Sequence, residues 1–132
     1  MSMSEQEKKE LKTKCESTSV APEMKALSGG MWIKNAEMTS DDRAVVGSCW
    51  REYWQIFTQQ DFPTKCPFCG QTLNETDIDG CHIKIAGPIM GKAAKSWSAK
   101  KFIIPGHHTC NTSIDGECQV KINIIAVEAI EK

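Results

Sequence analysis

Two short ligand pairs carry most of the chemistry this chain can offer. Cys66-Pro67-Phe68-Cys69-Gly70 is a Cys-x-x-Cys turn, and His107-His108-Thr109-Cys110-Asn111 supplies a His-x-x-Cys pair after thirty-seven intervening residues. A two-residue gap aims two thiolates at one point, and Gly70 lets the chain fold back over the sulfurs. A second pair with the same gap completes a tetrahedral set. Cys66, Cys69, His107 and Cys110 are therefore the expected ligands of one structural zinc ion, closed to water because the protein supplies all four donors. Cys81, His82 and Cys118 are the substitutes should one of these fail, and His108 competes with its neighbour His107. The bland reading of either histidine is an ordinary surface or loop-bonded residue. Between the pairs sits Cys81-His82-Ile83, and the role of His82 separates an enzyme from a binder.

These ligands need elements to hold them. The segment Thr39–Gln60 has the strongest helical pattern: Thr39 or Ser40 can cap it, and Asp41 and Asp42 suit its positive first turn. Val46, Cys49, Trp50, Tyr53, Trp54 and Phe57 recur at three- and four-residue steps, giving one aromatic face. Such a stripe packs on a core more often than it docks a partner. Cys15 and Cys49 have no ligand neighbours and read as plain residues. Gln71–Gly80 reads as a polar loop, His82–Ala86 and Lys101–Pro105 as the two strands of a hairpin, and Val120–Ile124 as a further alternating strand, with a short helix as the alternative. Met31-Trp32-Ile33 is a short strand candidate, and Glu5–Glu16 a charged helix with a thin apolar face. Knuckle, hairpin, then a ligand pair at the mouth of a further element is the layout of a treble-clef zinc finger. The expected class is α+β: a small zinc-stabilised treble-clef or ββα-like module with an aromatic-rich N-terminal helix. Residues 1–38 are expected to form a partly helical or loosely packed arm. Residues 39–132 are expected to form one zinc-binding domain, with helix 39–60, zinc module 65–115 and a C-terminal strand or helix at 118–130.

At 132 residues, 40% hydrophobic and 25% charged, the chain is an ordinary globular sequence with room for a small core that a metal would stiffen. Its net charge of -1 is unevenly spread. From Cys81 to Ile114 there are five lysines (Lys84, Lys92, Lys95, Lys100, Lys101) and no acid, so the remainder carries -1 minus 5, or -6. A basic stretch beside a metal site suits a phosphate-bearing partner, and a solvated lysine-rich loop is the bland alternative. No run of eighteen apolar residues exists and residues 1–19 are mostly polar, so neither a membrane span nor a secretory leader is expected. Cysteine pairs at metal spacing fit a reducing compartment, and an intracellular location follows, cytoplasmic or nucleoid-associated.

Cys-x-x-Cys-Gly, a glycine-led His-Ile, a strand ending in Ile104-Pro105 and ligand-x-x-Cys-Asn together resemble the zinc-bearing HNH nucleases of the His-Me finger group, over about residues 65–114. The resemblance implies that the two pairs hold a structural zinc, with His107 in place of a cysteine. It also implies that His82 is the general base of a metal-assisted phosphodiester cleavage needing Mg2+ or another divalent cation. Lys92, Lys95, Lys100 and Lys101 would hold the DNA backbone in a salt-dependent, sequence-blind way. The pattern also departs from the family. Cys81, a soft donor, stands where a hard cation ligand belongs. Ser96 or Ser98 would have to orient the base, and Asn111 and Asp115 are the candidates for the last cation ligand. The preferred reading is an HNH-like module that binds nucleic acid or a protein partner without full catalytic machinery. The alternatives are an active HNH-type endonuclease using His82, and an adaptor that docks a protein on the Trp50/Trp54 face of the aromatic helix at 44–57.

Overall fold

The computed structural model describes residues 4–17, 21–36, 43–45, 49–86, 97–113 and 116–131. In chain order the elements are α1 (Glu5–Ser17), β1 (Met24–Leu27), β2 (Trp32–Asn35), α2 (Trp50–Thr58), a 3-10 turn (Glu75–Asp77), β3 (Ile78–Ile85), β4 (Phe102–His107), α3 (His108–Ser113), β5 (Glu117–Gln119) and β6 (Ile124–Glu128). The architecture is mixed α/β. One six-stranded sheet, in the order β1-β6-β4-β3-β2-β5, is antiparallel throughout. No helix among the described residues is long and apolar enough to cross a membrane.

The hairpin β3–β4 is the spine, with Ile78 opposite His107 and Ile83 opposite Phe102. Ile83, Ile103 and Ile104 are buried within it, as β-branched residues on a pleated surface favour. α2 lies on one face of this hairpin. A Cβ added at Gly80 would fall 2.4 Å from the backbone of Trp50 and Arg51, so only glycine permits that approach. The helix buries Tyr53, Trp54, Ile56 and Phe57 and is stitched to β6. The Tyr53 hydroxyl donates to the Glu128 carbonyl at 2.5 Å, and Trp54 Nε1 donates to Ile125 at 2.7 Å.

Several expectations change. The helix begins at Trp50, not Thr39. The proposed cap residues 39 and 40, Asp41, Asp42 and Val46 lie outside the described residues. Ala44 instead forms a bridge with Glu131, and the Val45 amide donates to Ile130, so the backbone there is spent on the C-terminal segment. Cys49 is extended and caps α2 without a side-chain bond. Residues 24–35 are not an arm, since β1 pairs with β6 and β2 sits between β3 and β5. Even α1 is docked on α2, and its Lys8 is buried with Nζ 3.6 Å from Asp61. The loop expected over Gln71–Gly80 gives way at Ile78 to β3, because Asp77 closes the 3-10 turn and the chain then enters the ladder. The C-terminal segment makes two strands rather than one, broken where the Lys121 amide leaves to donate to Pro67 of the Cys-x-x-Cys turn.

Candidate metal centre

The turn that carries Cys66 and Cys69 is closed at its base by a Lys65–Thr72 bridge. The Cys66 amide donates to Gln71, and the Gly70 amide returns to Cys66, each at 2.8 Å. Gly70 has φ +76, the left-handed conformation that lets the loop reverse over its sulfurs. Phe68 pins the turn to the sheet. Its ring lies where a Cβ at Gly106 would be, 2.5 Å away, so the turn rests directly on β4. His107 ends β4 and Cys110 stands in α3, which brings the second pair over the first.

All four expected donors converge: one ligand atom from each of Cys66, Cys69, His107 and Cys110 lies within 4.8 Å of every other. The edges test whether one ion fits. A tetrahedron with metal–sulfur bonds of about 2.3 Å and a metal–nitrogen bond of about 2.05 Å has S–S edges near ~3.8 Å and S–N edges near ~3.6 Å. Cys66 Sγ and Cys110 Sγ are 4.0 Å apart, and Cys69 Sγ is 3.4 Å from His107 Nδ1. The four residues are close enough to hold a metal ion. His107 Nε2 lies 3.1 Å from the Thr72 carbonyl, and with an ion bound it would donate there and leave Nδ1 to ligate. The Asn74 amide also points at Nε2, from 3.3 Å. That approach needs the opposite tautomer, so an ion on Nδ1 would select the Thr72 bond. The His107 amide donates to Cys66 Sγ at 3.4 Å.

The thiols compete for ionisation. Burial pushes Cys69 up, but the Gln71 amide and then the His107, Cys110 and Cys66 side chains pull it down to about 7. Burial first, then the charge of Cys66, pushes Cys110 up to about 12. A divalent cation at the centre removes this conflict, because a coordinated thiol is held deprotonated.

The substitute ligands stay outside the cluster. Cys81 is fully buried in β3 with its thiol 3.6 Å from the Asp79 carbonyl; burial, then the charge of Asp79, keeps it protonated. Cys118 lies in β5, its thiol pushed up chiefly by burial. His108 turns away, with Nδ1 2.6 Å from Asp79 Oδ2, and the same oxygen accepts from Asn111 Nδ2 at 3.1 Å. Hydrogen bonding to Asp79 raises the His108 pKa. This Asp79–His108–Asn111 arrangement was not anticipated from sequence. It needs the β3–α3 contact, which no local pattern in the polar 71–80 stretch announces.

His82 is the fifth residue of an eight-residue strand rather than a strand-end residue. It is 7% exposed and meets the Trp50 ring edge-on, centroids 4.7 Å apart. Ser98 accepts from the Ile85 amide and donates to Lys100, stitching the loop to β3. Lys92, Lys95, Ser96 and Asp115 lie outside the described residues. Lys100 is engaged by Glu23 at 3.1 Å and Glu128 at 3.6 Å, and Lys101 by Glu131 at 3.2 Å. Trp54 is fully buried and offers a partner no surface, while Trp50 is half-buried over His82.

No family model, curated protein or solved structure matches this chain.

Proposed function

We propose that this protein is a zinc-stabilised module of treble-clef, HNH-like form that binds nucleic acid through its phosphates and does not cleave it. The observation that carries the zinc-stabilised module is the closed donor set, three cysteines and one histidine converging on one point. Three soft thiolates and an imidazole suit zinc, and four protein donors leave no position for an activated water. Such an ion clamps the Cys-x-x-Cys turn, the hairpin and α3 into one unit. It also fits a chain that works in a reducing, intracellular compartment.

The absence of chemistry is supported by the surroundings of His82. A general base must reach the water or hydroxyl it deprotonates. His82 is buried under Trp50, and its neighbour Cys81 is an enclosed neutral thiol rather than a ligand for Mg2+. A nuclease without a cation loses the group that carries most of the transition-state charge.

The test is a single assay with two readouts. Zinc-loaded protein is incubated with single- and double-stranded oligonucleotides, with and without Mg2+ or Mn2+. The expected result is binding that weakens with salt and leaves the oligonucleotides intact. Metal-dependent cleavage that His82→Ala abolishes, with zinc content retained, would establish the nuclease instead.

A further inference from the structure

Three lysines share one row of the sheet. Lys34 of β2 is the direct cross-strand partner of Lys84 of β3. Lys101 immediately precedes β4, whose first residue, Phe102, pairs with Ile83 beside Lys84. All three line the same groove, of about 370 Å³, together with Asn35, Ala36 and Ala99. Like charges placed directly opposite each other on a sheet are destabilising, and Lys34 opposite Lys84 is such a step, with Lys101 a third cation in the same groove.

Neighbouring acids relieve only its ends. Glu131 lies 3.2 Å from Lys101, and Glu117 is the partner of Lys34 on its β5 side. Lys34 Nζ is also held 4.8 Å over the Trp97 ring. Lys84, in the middle, makes no ion pair with any described residue. Lys100, next in sequence to the row, is committed elsewhere, to Glu23 and Glu128. A cation with no ion pair among the described residues, set between two others, is suited to an anion that bridges them.

We infer that the Lys34–Lys84–Lys101 row is the groove that receives the phosphate backbone of a nucleic-acid strand, with Trp97 holding the leading lysine in place. This rests on the nucleic-acid reading above and gives it a surface. Adjacent strands are spaced about 4.8 Å apart, so the row extends roughly 10 Å, a line of charge rather than a single-anion cup. The groove is open, and its charged donors are half-buried lysines rather than deeply buried groups. Small anions gain little in so open a site. A polyanion gains by releasing counterions and needs no enclosure. Lysines act as point charges on phosphates without reading base edges, so the contact is blind to sequence.

The test is the double variant Lys34→Gln/Lys84→Gln in the full, zinc-loaded chain, titrated with single- and double-stranded oligonucleotides across a salt series. Loss of two phosphate contacts should weaken binding about tenfold near 0.1 M salt and flatten the slope of log affinity against log salt by about 1.5. Zinc content should equal wild type, and Tm should match or exceed it, because a like-charge pair has gone. Lys34→Arg/Lys84→Arg should keep wild-type affinity, and Lys9→Gln on α1 should change nothing. If wild type binds and the Gln pair binds equally with the same salt slope, the groove is overturned while the nucleic-acid reading stands. If wild type binds neither oligonucleotide, both fail. Binding of a polyglutamate peptide in preference to the oligonucleotides would likewise overturn the assigned occupant.

Discussion

Two adjacent histidines meet the same end of the hairpin with different partners. His107 directs Nδ1 to the thiols, and His108 directs Nδ1 to Asp79. His107→Cys should therefore retain one metal ion, His107→Ala should weaken its retention sharply, and His108→Ala should leave metal content unchanged. Metal analysis of the three variants after desalting checks all of these. Acid should release the ion, because bound thiols must be deprotonated. Cys69 sits at about 7 against its usual 9.0, a lowered value, so its contribution is present above the usual value and lost as pH falls through about 7. Apparent metal affinity should fall with decreasing pH and more steeply below about 7, as followed with a chromophoric chelator. The four donors were legible in sequence because two-residue spacing is a local constraint on where side chains meet. The partner of His108 was not, since Asp79 lies twenty-nine residues away and meets it only through the sheet register.

At the level of elements, glycine governs how closely the layers approach. Gly80→Ala would drive a methyl into the backbone of α2, and Gly106→Ala would drive one into Phe68. Each should destabilise by at least about 1–3 kcal/mol, the usual range for overpacking, and Gly106→Ala should in addition loosen metal binding by lifting the Cys-x-x-Cys turn off β4. Denaturant melts paired with metal analysis would separate the two effects. Trp54→Ala should cost about 3–5 kcal/mol, as expected for a buried tryptophan, and more for its lost bond to Ile125. The aromatic stripe that identified α2 is a helical periodicity, and it survives in Tyr53, Trp54 and Phe57. Its start was misplaced because Ala44 and Val45 bond to residues 131 and 130, and propensity has no view of such distant partners. The strand at 82–86 was legible from alternation, and the one at 101–105 from its short apolar run before Pro105. β1 and β5 were not, because at four and three residues they exist only by pairing with neighbours.

Across the whole molecule, distant segments of chain depend on one another. β1 pairs with β6 over a separation of about a hundred residues, and the Lys121 amide between β5 and β6 reaches back to Pro67 of the Cys-x-x-Cys turn. Withdrawing the ion with a chelator should therefore lower Tm of the entire protein rather than melt one corner, because the turn and α3 lose the tie between them. The most direct test of the central claim is X-ray absorption at the zinc edge of freshly purified protein. The expected spectrum has three sulfurs at about 2.3 Å and one nitrogen at about 2.0–2.1 Å around one zinc per chain. A shell of four sulfurs, a shell containing water, or no zinc would contradict the Cys66, Cys69, His107 and Cys110 centre.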